Sequence, residues 1–120
     1  MFRFSKQSVI KKNKSFRIVY RHGKSWANRL VVLYVLPQPK KIADQRRIGF
    51  VTGKKIGGAV VRNRAKRLMK ESYRLLQNRL VDGVDMILVG RSSLAHSNFQ
   101  AVEKALIDLF NRAHLFKKEK

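Results

Sequence analysis

The densest chemistry in the chain lies in Gly53-Lys54-Lys55-Ile56-Gly57-Gly58-Ala59-Val60-Val61-Arg62-Asn63-Arg64-Ala65-Lys66-Arg67. From Arg46 to Lys70 there are nine Lys and Arg and no acid. Glycines let a backbone approach a phosphate closely. A helix N-terminus adds free N–H donors and the positive end of a dipole. Arginine binds phosphate in a planar, bidentate way, and lysine supplies point charge. Asn63 stands among arginines and carries both a donor and an acceptor. It can orient a guanidinium, bind a ribose hydroxyl or hold a metal-bound water. Residue type alone weighs those roles equally against a polar residue on a solvated helix face.

A second constellation is aromatic. Phe16 and Tyr20 are four apart and share a stripe if helical. Val32 and Tyr34 are two apart and share a face if extended. Together they can form an aromatic floor with basic walls, suited to an unpaired nucleic-acid strand. Base stacking on aromatics is worth roughly 1–3 kcal/mol per base and tolerates any sequence. Spacing alone favours the plainer reading, in which Phe16, Tyr20 and Tyr34 are core.

Other chemistry is thinly supplied. There is no Cys, which excludes a disulfide framework, thiol catalysis and a cysteine-ligated metal. The seven acids are scattered. Asp82 and Asp85 flank a turn, and no two-metal site is expected there. His22, His96 and His114 have no partner at ligand spacing. Ser92-Ser93 and Ser97-Asn98 read as loop and cap residues. A catalytic centre made of protein side chains is not expected.

The elements that must position these groups can be read coarsely. Asn13 or Ser15 is placed to cap a short helix ending near Gly23. Leu30 to Leu36 is a strand stopped by Pro37-Gln38-Pro39. Lys40 to Gln45 is polar and loop-like. Arg47 to Thr52 reads as a second strand, pairing with the first as a long-looped hairpin. Gly53, Gly57 and Gly58 bracket a turn. A long helix follows from Ala59 to Arg79. Val61, Ala65, Leu68, Met69, Ser72, Leu75 and Leu76 fall in one arc at about 100° per residue. Arg62, Lys66, Arg67, Lys70 and Arg74 fill the opposite arc, with Asn63 inside it and Arg64 on its border. Val84 to Val89 is a third, central strand. Ser97 opens a last helix, with Gln100 placed for a capping box. Phe99, Val102, Leu106, Leu109, Phe110 and Ala113 form its apolar stripe. The order is helix, strand, strand, helix, strand, helix. It predicts an α+β domain, with one small mixed sheet and helices packed on it.

The chain has 120 residues, enough for one domain, and is 44% hydrophobic, enough for one modest core. The domain is expected to span 1–120, with a basic arm at 1–11 and a charged tail at 117–120. The longest apolar run, Leu30 to Pro37, is far short of the roughly 20 residues that span a bilayer. Met1 to Lys6 lacks the long apolar stretch of a signal peptide. A cytoplasmic domain is expected.

The formal net charge is +21. Residues 1–70 carry 20 Lys and Arg against one acid, Asp44. Residues 71–120 carry 8 against 6. A small chain with that charge repels itself unless an anion shares it. Nucleic acid is the commonest such partner. A membrane-binding helix would need its apolar arc free to insert, whereas that arc is needed for the core.

The segment from Gly53 to Arg67 resembles the arginine–asparagine–arginine signature of the bacterial ribonuclease P protein subunit. The family pattern runs as Ser-Lys-Lys-x-Gly-Asn-Ala-Val-x-Arg-Asn-Arg-x-Lys-Arg. Lys54, Lys55, Gly57, Ala59, Val60, Arg62, Asn63, Arg64, Lys66 and Arg67 match it. Gly53 stands where Ser is usual and Gly58 where Asn is usual, so no contacts are carried onto those two. Upstream, Phe16 to Ser25 is similar to the family's first helix and following turn. Asn28-Arg29 and the Leu33-Tyr34 strand continue the likeness, so nearly the whole chain is involved.

The resemblance implies an accessory subunit of a ribonucleoprotein endoribonuclease. A large ribonuclease P RNA would carry the phosphodiester hydrolysis that frees the 5′ end of precursor tRNA, and would hold most of the magnesium. Lys54, Lys55, Arg62, Asn63, Arg64, Lys66 and Arg67 would dock on that RNA, Asn63 with indirect support of a metal. A cleft between the first helix and the sheet would hold the single-stranded leader. This moves Tyr20 and Tyr34 from core to binding surface, with Val32 beside them, and gives Phe16 both roles. The partners would be ribonuclease P RNA and precursor tRNA, with no membrane and no small-molecule substrate. The resemblance also implies a left-handed crossover from the second strand through the long helix to the third. A structural RNA-binding protein, such as a ribosomal protein, would share the charge and size. The Lys-Lys, Gly and Arg-Asn-Arg segment separates the two.

Overall fold

The computed structural model describes residues 9–38 and 46–118. Its elements run α1 (Asn13–His22), β1 (Lys24–Ala27), β2 (Val31–Pro37), β3 (Arg46–Thr52), α2 (Ala59–Leu76), β4 (Val84–Gly90) and α3 (Phe99–Arg112). Short 3₁₀ turns cover Lys54–Ile56, Gln77–Arg79 and Ser92–His96. The α+β architecture expected from the sequence is present, with one strand more than expected.

The sheet order is β1-β2-β4-β3. β2 runs antiparallel to both β1 and β4, and β3 runs parallel to β4. The expected β2–β3 hairpin is therefore wrong. β4 separates the two strands. Its sequence, Val-Asp-Met-Ile-Leu-Val-Gly, is buried on both faces except at Val89. Such a strand needs a neighbour on each edge, and β2 and β3 supply them. The missed strand, β1, covers the other edge of β2. It is mostly exposed, and Lys-Ser-Trp-Ala shows no clean apolar alternation. The Asn28 side chain closes the turn between them, accepting from Leu30 N (3.2 Å) and Val31 N (3.1 Å).

Side chains alternate across the sheet. Val31, Leu33, Val35, Ile48, Phe50, Met86 and Leu88 are buried beneath α2 and α3 in the main core. Tyr34, Leu36, Val51, Ile87 and Val89 belong to the other face, with Phe16 and Val19 of α1. α1 thus packs on one side of the sheet, and α2 and α3 on the other.

Several local expectations change. Lys12, not Asn13 or Ser15, precedes α1, and no side chain caps it. Asn98, not Ser97, caps α3, accepting from Ala101 N at 2.9 Å. On α2, Leu75 is exposed and Tyr73 is buried. Tyr73 fits between Phe50 and Phe110, with ring centroids 5.8 and 6.4 Å away, because α3 widens the buried arc. Of the expected basic arm, residues 1–8 lie outside the described residues. Val9 and Ile10 are docked instead: Val9 bridges to Ile48, and Ile10 N donates to Ile48 O at 2.8 Å. The loop from Lys40 to Gln45 and the end of the tail, Glu119 and Lys120, also lie outside the described residues. Among the described residues, no helix is long and apolar enough to cross a membrane.

Candidate nucleic-acid interface

Strand register builds the first surface. On the α1 face, Tyr34 lies opposite Ile87, which lies beside Gly49. One row further, Val32 lies opposite Val89, beside Val51. α1 covers Ile87 with Val19 and seats Phe16 on Gly49. A Cβ at position 49 would come within 2.6 Å of the Phe16 ring, so only glycine admits the helix this close. Phe16 is therefore partly core. Tyr20, one helical turn on, meets Tyr34 edge to face at 4.8 Å and keeps 39% of its surface exposed. Phe16 and Tyr20 lie 6.4 Å apart and nearly parallel. The structure thus brings Phe16, Tyr20 and Tyr34 together, with half-exposed Val32 in the next row.

That row leads to groups the sequence reading missed. Val51 and Val89 line a hollow of about 460 Å³ at the C-terminal ends of β3 and β4, with Lys54, Lys55, Ile56 and Arg91 around it. The signal was present in the alternation of β3 and β4, but only their parallel register joins the two valines. Lys54 and Lys55, read from sequence with α2, therefore also border the continuation of the aromatic floor. At the far end of this face, Arg47 Nε donates to Asp85 Oδ1 at 2.8 Å and its Nη2 to Oδ2. That pairing raises the Arg47 pKa despite burial.

α2 builds the second surface. Gly57 has φ 151°, a conformation side chains rarely adopt, which turns the chain into the helix. Gly53 and Gly58 have ordinary negative φ, and a Cβ at either meets nothing within 4 Å. The family's Ser and Asn would fit at both, so the two departures cost no backbone geometry. The first turn of α2 carries neither a side-chain cap nor an acid of its own. Asn63 and Arg67 are exposed, and Arg62 and Lys66 are half-buried. Arg64 differs. Its guanidinium donates to Ala95 O (3.3 Å) and Ser97 O (2.9 Å), pinning α2 to the segment before α3. Val60 is 83% exposed, an apolar point among the cations. Among the described residues, no three of His, Asp or Glu converge to hold a metal ion.

Tyrosine ionisation reports on the aromatic surface through Tyr20 and on the main core through Tyr73. Burial, and then the nearby Tyr34, raise the Tyr20 pKa above 10.0. Burial raises that of Tyr73, against the opposing pull of Arg46. The unfolded chain releases these protons near pH 10 while the folded chain still holds them. Stability is therefore full below about pH 10 and is lost as pH rises through the folded values. A tyrosinate absorbance titration, with Tyr20→Phe and Tyr73→Phe variants to assign the signals, should show Tyr20 and Tyr73 ionising later in the native protein than in denaturant. Ionisation of either at the same pH in native and denatured protein would contradict the packing described.

An α–β sandwich with an aromatic sheet face on one side and a strongly cationic long helix on the other defines a class of protein suited to meet a polyanion. Comparison with known proteins narrows this. The family model for ribonuclease P matches residues 4–114. The ribonuclease P protein component of Clostridium botulinum (strain Langeland) is 44% identical over 112 residues, covering 92% of this chain and 98% of that protein. The Staphylococcus aureus RNase P protein superposes with a TM-score of 0.82 at 31% identity, covering 92% of this chain and 98% of that one. The Thermotoga maritima RNase P protein gives 0.75 at 26% identity, covering 86% and 94%. The chain belongs to the ribonuclease P protein component family.

Proposed function

We propose that this chain assists a catalytic RNA in the endonucleolytic removal of the 5′ leader from precursor tRNA, in the cytoplasm. The observation that carries this reading is the pair of exposed Tyr20 and half-buried Tyr34, on a sheet face bordered by Lys54, Lys55 and Arg91, in a member of this family. An unpaired leader would stack its bases on Tyr20 and Tyr34 and lay its backbone toward the cations. Stacking ignores base identity, so one surface serves many leaders. Arg62, Asn63, Lys66 and Arg67 would dock the RNA subunit through phosphates, with Arg64 holding the helix in place as well as adding charge.

Phosphodiester hydrolysis would be carried by the RNA and by magnesium held mainly there. The protein's share is electrostatic. Cations against both RNAs release counterions and reduce the repulsion between catalyst and substrate. Less magnesium is then needed to hold the two together. No small molecule is required.

The test is cleavage of precursor tRNA by a bacterial ribonuclease P RNA at low magnesium, with and without this protein. Restored cleavage at the mature 5′ end is the expected result. A folded protein that leaves a cognate RNA inactive would instead favour a structural RNA-binding role.

A further inference from the structure

The cations of α1 have no task in this scheme. The helix packs on the sheet through Phe16 and Val19. Its opposite stripe is Lys14, Arg17, Ile18 and Arg21, a spacing of i, i+3, i+4 and i+7 that places them side by side. All four are exposed, Ile18 by 42%. With His22 they surround a hollow of about 220 Å³. The ion pairs among the described residues are Arg46–Asp82, Arg47–Asp85, Arg74–Glu71 and Arg112–Asp108, and none reaches this stripe. The sequence holds no acid before Asp44.

This arrangement works against the helix that carries it. Like charges three and four residues apart destabilise a helix. α1 has ten residues, no side-chain cap and no acid in its first turn. A helix that short is marginal on its own, and cations near its N-terminus oppose its dipole. A bound polyanion would relieve the like-charge repulsion and the unfavourable dipole term together.

We propose that the outer stripe of α1 is a second RNA-docking surface, and that the protein bridges two separate segments of one folded RNA. The inference rests on the RNA-binding reading above. Lys14 to Arg21 spans about 10 Å along the helix, roughly the rise of three phosphates on one strand. Ile18 gives an apolar seat for a ribose or an unstacked base between them. α1 and α2 lie on opposite faces of the sheet, so their outer cations point to different sides of the molecule. Two separate segments of RNA, rather than one straight helix, would then meet the two surfaces. A bilayer fits poorly, because the apolar side of α1 is already on the sheet and Ile18 alone is free.

The absence of cysteine allows a direct test. Ile18→Cys and Asn63→Cys, each carrying a tethered iron chelate, are assembled with ribonuclease P RNA, and the strand breaks are mapped. Two non-overlapping sets of breaks are expected. In parallel, K14A/R17A/R21A should lower the slope of log affinity against log salt by about 2 to 3 units, additively with R62A/R67A. Circular dichroism should show the triple variant folded, since it removes repulsion. A silent Ile18 tether, breaks identical to those from Asn63, or an unchanged salt slope would overturn the proposal. A silent tether with full RNA affinity would leave an acidic protein as the occupant of the stripe. Failure of the unaltered protein to bind the RNA would sink the functional reading itself, a different result from a silent α1.

Discussion

Tyr20→Ala combined with Tyr34→Ala should weaken binding of leader-bearing precursor tRNA by about 30- to 1,000-fold. Each stacked base is worth roughly 1–3 kcal/mol; the two losses overlap because the rings touch, so together they give about 2–4 kcal/mol of lost affinity rather than the full sum. Mature tRNA, which has no leader, should bind as before. The rings touch each other at 4.8 Å, so the single variants should not add. Stability should change little, because Tyr20 is substantially exposed and Tyr34 lies at the rim of the smaller cluster rather than in its buried part. Fluorescence titration with a labelled precursor and with mature tRNA separates the outcomes. Equal losses for both ligands would mean that the aromatic face does not hold the leader.

The second large effect is on stability. Arg46→Met should cost about 3 kcal/mol and lower the melting temperature by about 10 °C. The Arg46 side chain is only 12% exposed. Its Nε donates to the Tyr73 hydroxyl at 2.9 Å, and its Nη1 to Leu80 O at 2.9 Å and Val81 O at 3.3 Å. Methionine fills the space but leaves a buried hydroxyl and two carbonyls without this donor. The contact with Asp82, which is half exposed, adds little. Tyr73→Phe should cost only about 1 kcal/mol, since Arg46 keeps its carbonyl partners. The double variant should cost less than the sum, because both singles break the same bond. Urea unfolding of the four proteins measures this. A cost under about 0.5 kcal/mol for Arg46→Met, the level of an ordinary surface change, would show that the network does not hold the start of β3 to the end of α2.

Legibility in the sequence followed the range of the interactions involved. The three helices were readable because each carries its own 3.6-residue stripe: Phe16 and Val19, Ala65 and Met69, Leu106 and Leu109. β4 was readable as central from its unbroken apolar run. β1 was not, because Lys-Ser-Trp-Ala is short and mostly exposed and is held by the Asn28 turn and by Arg112, which donates to Ala27 O at 2.9 Å from 85 residues away. The β2–β3 hairpin failed for the related reason that adjacency in sequence is a weak guide once a central strand arrives later in the chain. In the candidate site, Tyr20 and Tyr34 were legible as residue types on compatible periods. Val51 and Val89 were not, since each is an ordinary strand valine until register sets them side by side. Arg64 was read with its basic neighbours, and only the position of the 3₁₀ turn before α3 shows two of its N–H groups committed to backbone carbonyls.

By itself the sequence determined the sign and placement of the charge: a net +21, concentrated before Lys70, which favours an anionic partner whatever the fold. It also determined the helix stripes and the turn at Gly57, because periodicity and backbone freedom are local properties. Tertiary structure alone decided which strands touch, and therefore which side chains share a surface. Placing β4 between β2 and β3 set Tyr34 beside α1, joined Val32, Val89 and Val51 into one row, and put the cations of α1 and α2 on opposite sides of the sheet. Those facts depend on pairing between segments tens of residues apart: burying β4 on both faces supplies the free energy, and no segment's own pattern says which neighbours it takes.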